Sequence, residues 1–116
     1  MINVVLDHDV VQAGGFLGAK IHWSGDRPVR RIIAAAQWET DGEGNRVWGV
    51  GRSTVIDTRG FSGSAIYPVR LMIPHEGPVS FRGTLTAIVW KLRVQIDQPG
   101  FDEFGEAEFR VEPRKR

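Results

Sequence analysis

The sequence predicts an all-β domain, an antiparallel β-sandwich of about seven strands, and two observations support this class. The 116 residues include 13 Val, 9 Ile and 5 Thr, whereas Ala and Leu together number only 13. Branched side chains of this kind are stiff at χ1 and pack well on a pleated surface, so the bias favours strands over helices. Short alternating segments are also separated by many of the 14 Gly and 6 Pro residues, as expected of a sandwich.

The first two strands are predicted at residues 2–7 and 17–23, with an Ala-Gly-Gly turn at 13–15 between them. In the second strand, Leu, Ala, Ile and Trp alternate with Gly, Lys and His, which indicates one apolar and one solvated face. We expect a turn at residues 24–26. Pro28 excludes a central strand position there because proline has no N–H to donate.

A hairpin is predicted next, with strands at 31–40 and 47–56. Ile, Ala, Ala and Trp occupy the even positions of the first strand from 32 to 38 and form an apolar face. The loop between the strands, at residues 41–45, reads Asp-Gly-Glu-Gly-Asn, and Gly and Asn tolerate the positive φ that tight reversals need. In the returning strand, glycines at 49 and 51 weaken the strand or mark a bulge. Residues 57–63 are predicted to form a second loop.

Three further strands, at residues 65–73, 84–97 and 107–111, complete the predicted sandwich. Pro68 indicates an edge position or a bulge in the first of them. The longest strand alternates apolar and polar residues, and its apolar face places Trp90 in the core between the two sheets. We therefore expect Trp90 to be a large contributor to stability.

Length and charge restrict the possible organisation. One domain with one core fits 116 residues, and we assign residues 1–112 to it and residues 113–116 to a basic tail. The formal net charge is +1, and it falls to −2 without Arg114, Lys115 and Arg116. A nucleic-acid-binding domain usually carries a basic face of its own, so we expect no nucleic-acid partner.

The chain contains no cysteine, which excludes a disulfide framework and a cysteine-based zinc site. The first ten residues carry two aspartates and no basic residue, unlike a secretory signal. No run approaches the ~18 apolar residues of a membrane span. These features favour a cytoplasmic protein without a membrane span.

A more specific pattern lies between Pro74 and Asp97. A proline-flanked turn is followed by Ser, an aromatic residue, any residue and Gly, and then by a strand that reads Ile-x-Trp-x-Leu-x-Val-x-Ile-Asp. The residues that carry the pattern are Pro74, Pro78, Ser80, Phe81, Gly83, Ile88, Trp90, Leu92, Val94, Ile96 and Asp97. This segment resembles the arrestin-like family. The opening segment is similar to that family's first hairpin, through Leu6, Asp7, Gly15, Gly18, Ala19 and Ile21.

The resemblance implies an immunoglobulin-like sandwich that acts as a non-catalytic adaptor or scaffold. Arrestins pair two such sandwiches, and this sequence accounts for one, so arrestin signalling is not carried over. We expect a protein partner and a homo-oligomer formed through edge strands, because an open sandwich has unpaired backbone groups that accept another strand. The terminal strand at 106–112 is the predicted pairing edge, since Pro68 protects the strand at 65–73.

Five residues beside predicted loops are candidates for protein binding: Trp48, Arg52, Arg59, Phe61 and His75. Tryptophan dominates many interfaces, and Trp48 follows the glycine-rich hairpin. No catalytic residue, cofactor or metal ligand is predicted.

Two other functions remain open. A small β-sandwich hydrolase or metal-binding enzyme would use the Gly60–Ser64 loop or the Asp7-His8-Asp9 segment, but the former lacks the spacing of a nucleophile turn and the latter would not converge on a strand. An oligonucleotide-binding module would use the aromatic residues as stacking platforms.

Overall fold

A computed structural model describes residues 1–42, 48–76, 78–82 and 86–113, and the regular structure within them is entirely β-strand. The strands are β1 (Ile2–Leu6), β2 (Val10–Gln12), β3 (Phe16–Gly42), β4 (Trp48–Met72), β5 (Phe81–Arg82), β6 (Thr86–Asp97) and β7 (Glu103–Glu112). The all-β class and the sandwich are confirmed. The described residues include no helix that could cross a membrane. The basic residues 114–116 lie outside the described part, so the tail stays a prediction.

The long antiparallel hairpin of β3 and β4 belongs to both layers of the sandwich. In the first layer, the beginning of β3 lies between β1 and the end of β4. In the second layer, the end of β3 lies between the beginning of β4 and β6, and β6 continues the sheet to β7. The change of neighbour from β1 to β6 along β3 shows that the hairpin crosses from one layer to the other.

Two predicted chain breaks, the turn at 24–26 with Pro28 and the loop at 57–63, are wrong. Both lie inside strands, because β3 and β4 remain paired through this region, although their register shifts on either side of Val29. Gly, Asp and Pro residues interrupt the regular pairing of β3 and β4 around Val29. The result is an irregular, paired crossing between layers and not a reversal of the chain.

The buried faces follow the predicted alternation. Odd positions from Leu17 to Trp23 are buried in the first half of β3, and even positions from Ile32 to Ala36 are buried in the second half. The parity changes across the irregular segment around Val29, where the regular alternation of β3 is interrupted. On β6, Trp90 is 1% exposed and packs with Leu92 in the core, as predicted.

The predicted hairpin and its bulge are also confirmed. Glu39 pairs with Trp48 on either side of residues 43–47, which lie outside the described residues. Gly51 is the extra residue of β4 where the register shifts between Ala36 and Gln37. A Cβ at Gly51 would lie 3.0 Å from carbons of the Trp90 ring, so glycine leaves room there for the indole.

Two short strands that the sequence did not predict complete the second layer. β2 pairs in parallel with the end of β7, and Val11 is buried there beside Val111. β5 pairs with the beginning of β6. Ser80, just before β5, donates its backbone N–H to the carbonyl of Val111 (2.8 Å) and accepts the Val111 N–H at its hydroxyl (2.8 Å). These contacts join both short strands to β7.

Candidate protein-binding edge

The outer side of β4 is the longest open edge in the described part of the chain. β4 is a 25-residue strand, and β3 is its pairing partner there. The other side of β3 is taken by β1 and β6, so neither of these strands reaches β4. An edge of this kind presents unpaired N–H and C=O groups that accept another strand.

The hydrogen bonds show which residues of β4 direct their backbone groups outward. Ile73 donates its N–H to the carbonyl of Gly15 at 2.8 Å, and the register from Phe16 to Gly25 is regular. Since inward and outward positions alternate in an antiparallel pair, odd-numbered residues of this half face β3. Ile66, Pro68 and Arg70 therefore face the open edge.

The bonds between β1 and β3 give the same result from the opposite side. Asp7 donates its N–H to Gly18 (2.9 Å), and Ser24 donates to Met1 (3.0 Å). Even positions of β3 thus face β1, which leaves its odd positions for β4. Pro68 lacks an N–H at an outward position, where it breaks no bond with β3, so the predicted edge position of Pro68 is confirmed.

Exposed apolar and basic side chains accompany this edge. Val50, Val55 and Ile66 are 49%, 57% and 58% exposed, which is high for β-branched residues. Arg70 is also exposed, and its guanidinium carbon lies 4.0 Å from the centre of the Phe16 ring. The alternation that buries the side chains of Val69 and Leu71 predicts a solvent-exposed side chain at Ile66. The sequence analysis did not select Ile66 as a candidate.

The five sequence-predicted site residues all lie on β4 or shortly after it. Trp48 is its first residue, Arg52, Arg59 and Phe61 lie within it, and His75 follows its end. Their predicted location beside loops is wrong for Arg52, Arg59 and Phe61, because the expected loop at 57–63 is part of the strand. Arg52 and His75 are exposed. The side chains of Trp48, Arg59 and Phe61 lie outside the described part.

His75 covers a tight turn between β2 and β3. Gly14 has a φ of 82°, a left-handed conformation that favours glycine, and its N–H donates to the carbonyl of Ile73 at 2.8 Å. A Cβ at Gly14 would lie 2.2 Å from Cε1 of His75. The imidazole therefore packs directly on the glycine backbone, at the end of the β4 edge.

The end of the terminal strand is covered, so the open edge that the sequence predicted at 106–112 is wrong for residues 110–112. β2 occupies the outer side of β7 from Arg110 to Glu112. Arg110 donates its N–H to the carbonyl of Asp9 at 2.7 Å, and Ala13 donates to Glu112 at 2.8 Å. A proline at Arg110 would break a bond within the domain, so it would not be a clean test of association.

Lys91 is the centre of an ion-pair network on the outer face of the second layer. Its Nζ lies 3.0 Å from Glu39 and 3.5 Å from Glu106. The hydrogen bond with Glu39, together with the charge of Glu106, raises the pKa of Lys91 above its ordinary value. Burial raises the pKa of Tyr67 on β4. The protonated Lys91 thus ties β3, β6 and β7 together through Glu39 and Glu106.

The residues considered for catalysis do not converge among the described side chains. Groups of three His, Asp or Glu residues suitable for a metal ion do not occur among them. His8 and His22 are exposed. Ser62 lies within β4, and its side chain is outside the described part.

Comparison with known proteins supports the fold. No protein-family profile matches the chain, and no curated protein matches it. Among solved structures, the chain is similar to Spo0M, a sporulation control protein from Bacillus subtilis, with a TM-score of 0.74 and 16% sequence identity. The match covers 96% of this chain and 48% of the Spo0M chain, so this chain spans about half the length of that protein. The likeness supports an arrestin-like β-sandwich fold.

Proposed function

We propose that this chain is a non-catalytic protein-binding domain of the adaptor or scaffold type, and that it self-associates by strand addition at the open edge of β4. The observation that carries this proposal is the outer side of β4, to which no strand of the described residues pairs and whose C-terminal half directs the backbone groups of Ile66 and Arg70 outward. The description of Spo0M as a control protein is compatible with a regulatory binding role.

Strand addition at this edge has a physical basis in both backbone and side chains. Main-chain hydrogen bonds supply affinity and alternate side chains supply specificity when a strand joins a sheet edge. The exposed side chains of Val50, Val55 and Ile66 are of the branched type that packs on neighbouring strands. From Trp48 to Tyr67 the strand contains no proline, so Pro68 protects only its last part. A second copy pairing in antiparallel orientation would form a two-fold dimer.

The test replaces one outward N–H. Ile66→Pro removes the donor from the open edge and should leave the bonds with β3 intact, as the native Pro68 does two residues later. Ile66→Ala is the matched control, because it removes most of the same side chain but keeps the N–H. We expect the wild type and Ile66→Ala to dimerise at micromolar concentration in analytical ultracentrifugation, and Ile66→Pro to be mainly monomeric.

Circular dichroism and thermal melting must show that Ile66→Pro is folded. A wild-type chain that is strictly monomeric at high micromolar concentration contradicts self-association. A folded Ile66→Pro variant that still dimerises like the wild type contradicts the role of β4. Proteins that the wild type captures from its own lysate, and that the folded proline variant loses, would identify a heterologous partner at the same edge.

A further inference from the structure

The turn between β6 and β7 presents one phenylalanine to solvent. Phe101 is 85% exposed, the highest value among the exposed large apolar side chains of the described residues. Singly exposed apolar residues are common and need no explanation. Phe101 differs from such residues because hydrogen bonds fix the backbone of its turn.

Hydrogen bonds fix the turn on both sides of Phe101. The buried Gln98 donates its Nε2 to the Phe101 carbonyl at 2.9 Å. The carboxylate of Asp102 accepts from Nε2 of Gln95 at 2.6 Å and from the N–H of Gln98 at 3.4 Å. Gly100 adopts a φ of 88°, which a side chain would oppose. The backbone at Phe101 is thus held in place before any partner binds, which lowers the backbone part of the entropy cost of binding.

Phe101 also lacks the cover that two other exposed phenylalanines have. Arg70 lies over Phe16 at 4.0 Å and Arg93 over Phe104 at 5.0 Å from the ring centres. Within the described residues, no ring or cation contact of this kind involves Phe101. Arg27 is nearby, but its Nη1 donates to the carbonyl of Pro99 (3.1 Å). The turn therefore combines a bare aromatic ring with an adjacent positive charge.

A pocket with the complementary properties lies at the opposite end of the β6–β7 hairpin. It has a volume of about 490 Å³ and lies where β2, β5, β6 and β7 meet. Its apolar lining includes Val10, Phe81, Ile88 and Phe109, and its charged lining consists of the acidic Asp9 and Glu108 and the basic Arg110, so acidic groups predominate. Pockets of this size accept an aromatic side chain.

The pocket is out of reach of the phenylalanine of the same chain. Eight residues separate Ile88 from Ile96 on β6, and a strand rises about 3.3 Å per residue, so the two features are about 26 Å apart. Phe101 therefore cannot fill the pocket of its own chain and can reach only the pocket of another copy.

We propose that Phe101 of one copy inserts into the pocket of the next copy, with Arg27 beside the carboxylate of Asp9. The contact joins two different surfaces, so it is heterologous, and it adds copies head to tail into a ring or a filament. It is separate from the β4 edge, whose two-fold pairing ends at a dimer. Burial of the aromatic ring supplies affinity, and the opposite charges set the orientation.

The test uses two complementary variants. Phe101→Ser removes the inserted ring and keeps the pocket, whereas Val10→Trp fills the pocket and keeps the ring. Phe104→Ser is the matched control, because it removes a 52% exposed phenylalanine of β7 that the contact does not use. Sedimentation velocity over a concentration series measures the size distribution of each variant, of their mixture and of the wild type.

We expect the head-to-tail contact to be weaker than the pairing at the β4 edge, so the wild type and Phe104→Ser should form species larger than a dimer only above the concentration at which the β4 edge pairs. Phe101→Ser and Val10→Trp should each lose these species, with association weakened about tenfold or more. An equimolar mixture of the two should regain one head-to-tail contact per pair, through the intact ring of one and the intact pocket of the other. Arg27→Glu should weaken association, and mixing it with a chain carrying Asp9→Lys should restore it.

Three results would overturn the proposal. The first is a Phe101→Ser chain that assembles like the wild type. The second is a mixture of Phe101→Ser and Val10→Trp that gains no association. The third is Phe101-dependent sedimentation with phosphatidylserine vesicles when the size distribution in solution does not depend on Phe101, since the ring would then serve a lipid surface. Ile66→Pro acts on the other interface, so failures of the two proposals are distinguishable.

Discussion

Replacement of Trp90 tests the packing between the two layers. The indole is 1% exposed, and Nε1 donates to the carbonyl of Pro78 at 2.9 Å. The ring centre lies 5.9 Å from that of Phe109, and Gly51 on β4 makes room for the ring edge. Trp90 therefore contacts β4, β7 and the segment before β5 at once.

The expected cost follows from these contacts. Removing a buried large aromatic side chain lowers the free energy of unfolding by about 3–5 kcal/mol. The lost hydrogen bond accounts for about 1 kcal/mol of this loss. A domain is stable by only about 5–15 kcal/mol, so Trp90→Ala risks leaving too little native protein for a reliable measurement. Trp90→Phe keeps a ring beside Phe109 but loses the N–H and part of the volume, and we expect it to cost about 1–3 kcal/mol.

Urea unfolding followed by far-ultraviolet circular dichroism measures both variants, because fluorescence would mix the signals of four tryptophans. The free energy of unfolding should fall with little change in the m-value. Trp38→Phe is the control, since Trp38 pairs directly with Trp90 but is only half-buried, and its cost should be smaller. A loss below about 1 kcal/mol for Trp90→Ala would refute the register of β6, because a slip of one residue turns this face to solvent.

Three further predictions concern the edge, the ion pairs and the glycine turn. Pro68→Thr restores an outward N–H on β4, so association should strengthen in ultracentrifugation; unchanged association would show that this part of the edge is not used. Lys91 and Tyr67 have folded-state pKa values above their ordinary 10.5 and 10.0, so their contribution to stability is complete below these values and is lost as the pH rises through the folded-state pKa. Lys91→Met should therefore flatten the fall of the urea midpoint as the pH rises above 10.5, and an unaltered slope would contradict this. Gly14→Ala should cost about 1–2 kcal/mol through its positive φ and the contact with His75; His75→Ala in the same chain should recover the contact part only, and full recovery would exclude backbone strain.

Alternation along single strands was sufficient to predict the core. Each face depends on a local period of two, so Trp23, Ile32 and Trp90 were assigned correctly without knowledge of their partners. Pro68 was likewise readable as an edge residue, because its missing N–H is acceptable only where no bond with a neighbour is needed.

The crossing between layers could not be predicted from local signals. Gly25 and Pro28 on β3 resemble a turn, but a reversal and a bulged crossing use the same residue types. Whether β3 reverses or continues here depends on β4, whose pairing with β3 is irregular around the same residues. β2 has three residues and β5 has two. Segments this short form strands only by pairing with β7 and β6, and neither pairing is visible in the local sequence.

The candidate site was only partly predictable for the same reason. Aromatic and basic residues such as Trp48 and Arg52 were recognised by type, and they do lie on β4. Whether a strand is an edge depends on topology, however, and the sequence does not show that β1 and β6 occupy the far side of β3. The cover on the last three residues of the terminal strand was missed because its partner β2 is short and one hundred positions away.

The pairing of β2 with β7 has a consequence for biosynthesis. Val10 pairs with Arg110, so β2 leaves the ribosome one hundred residues before the strand with which it pairs. Until then the side chain of Val11 and the inner faces of the nascent sheets stay accessible to water and to other chains. Chains stalled before β7 should accordingly be degraded by proteases and bound by chaperones, and the domain should become resistant in a single late step.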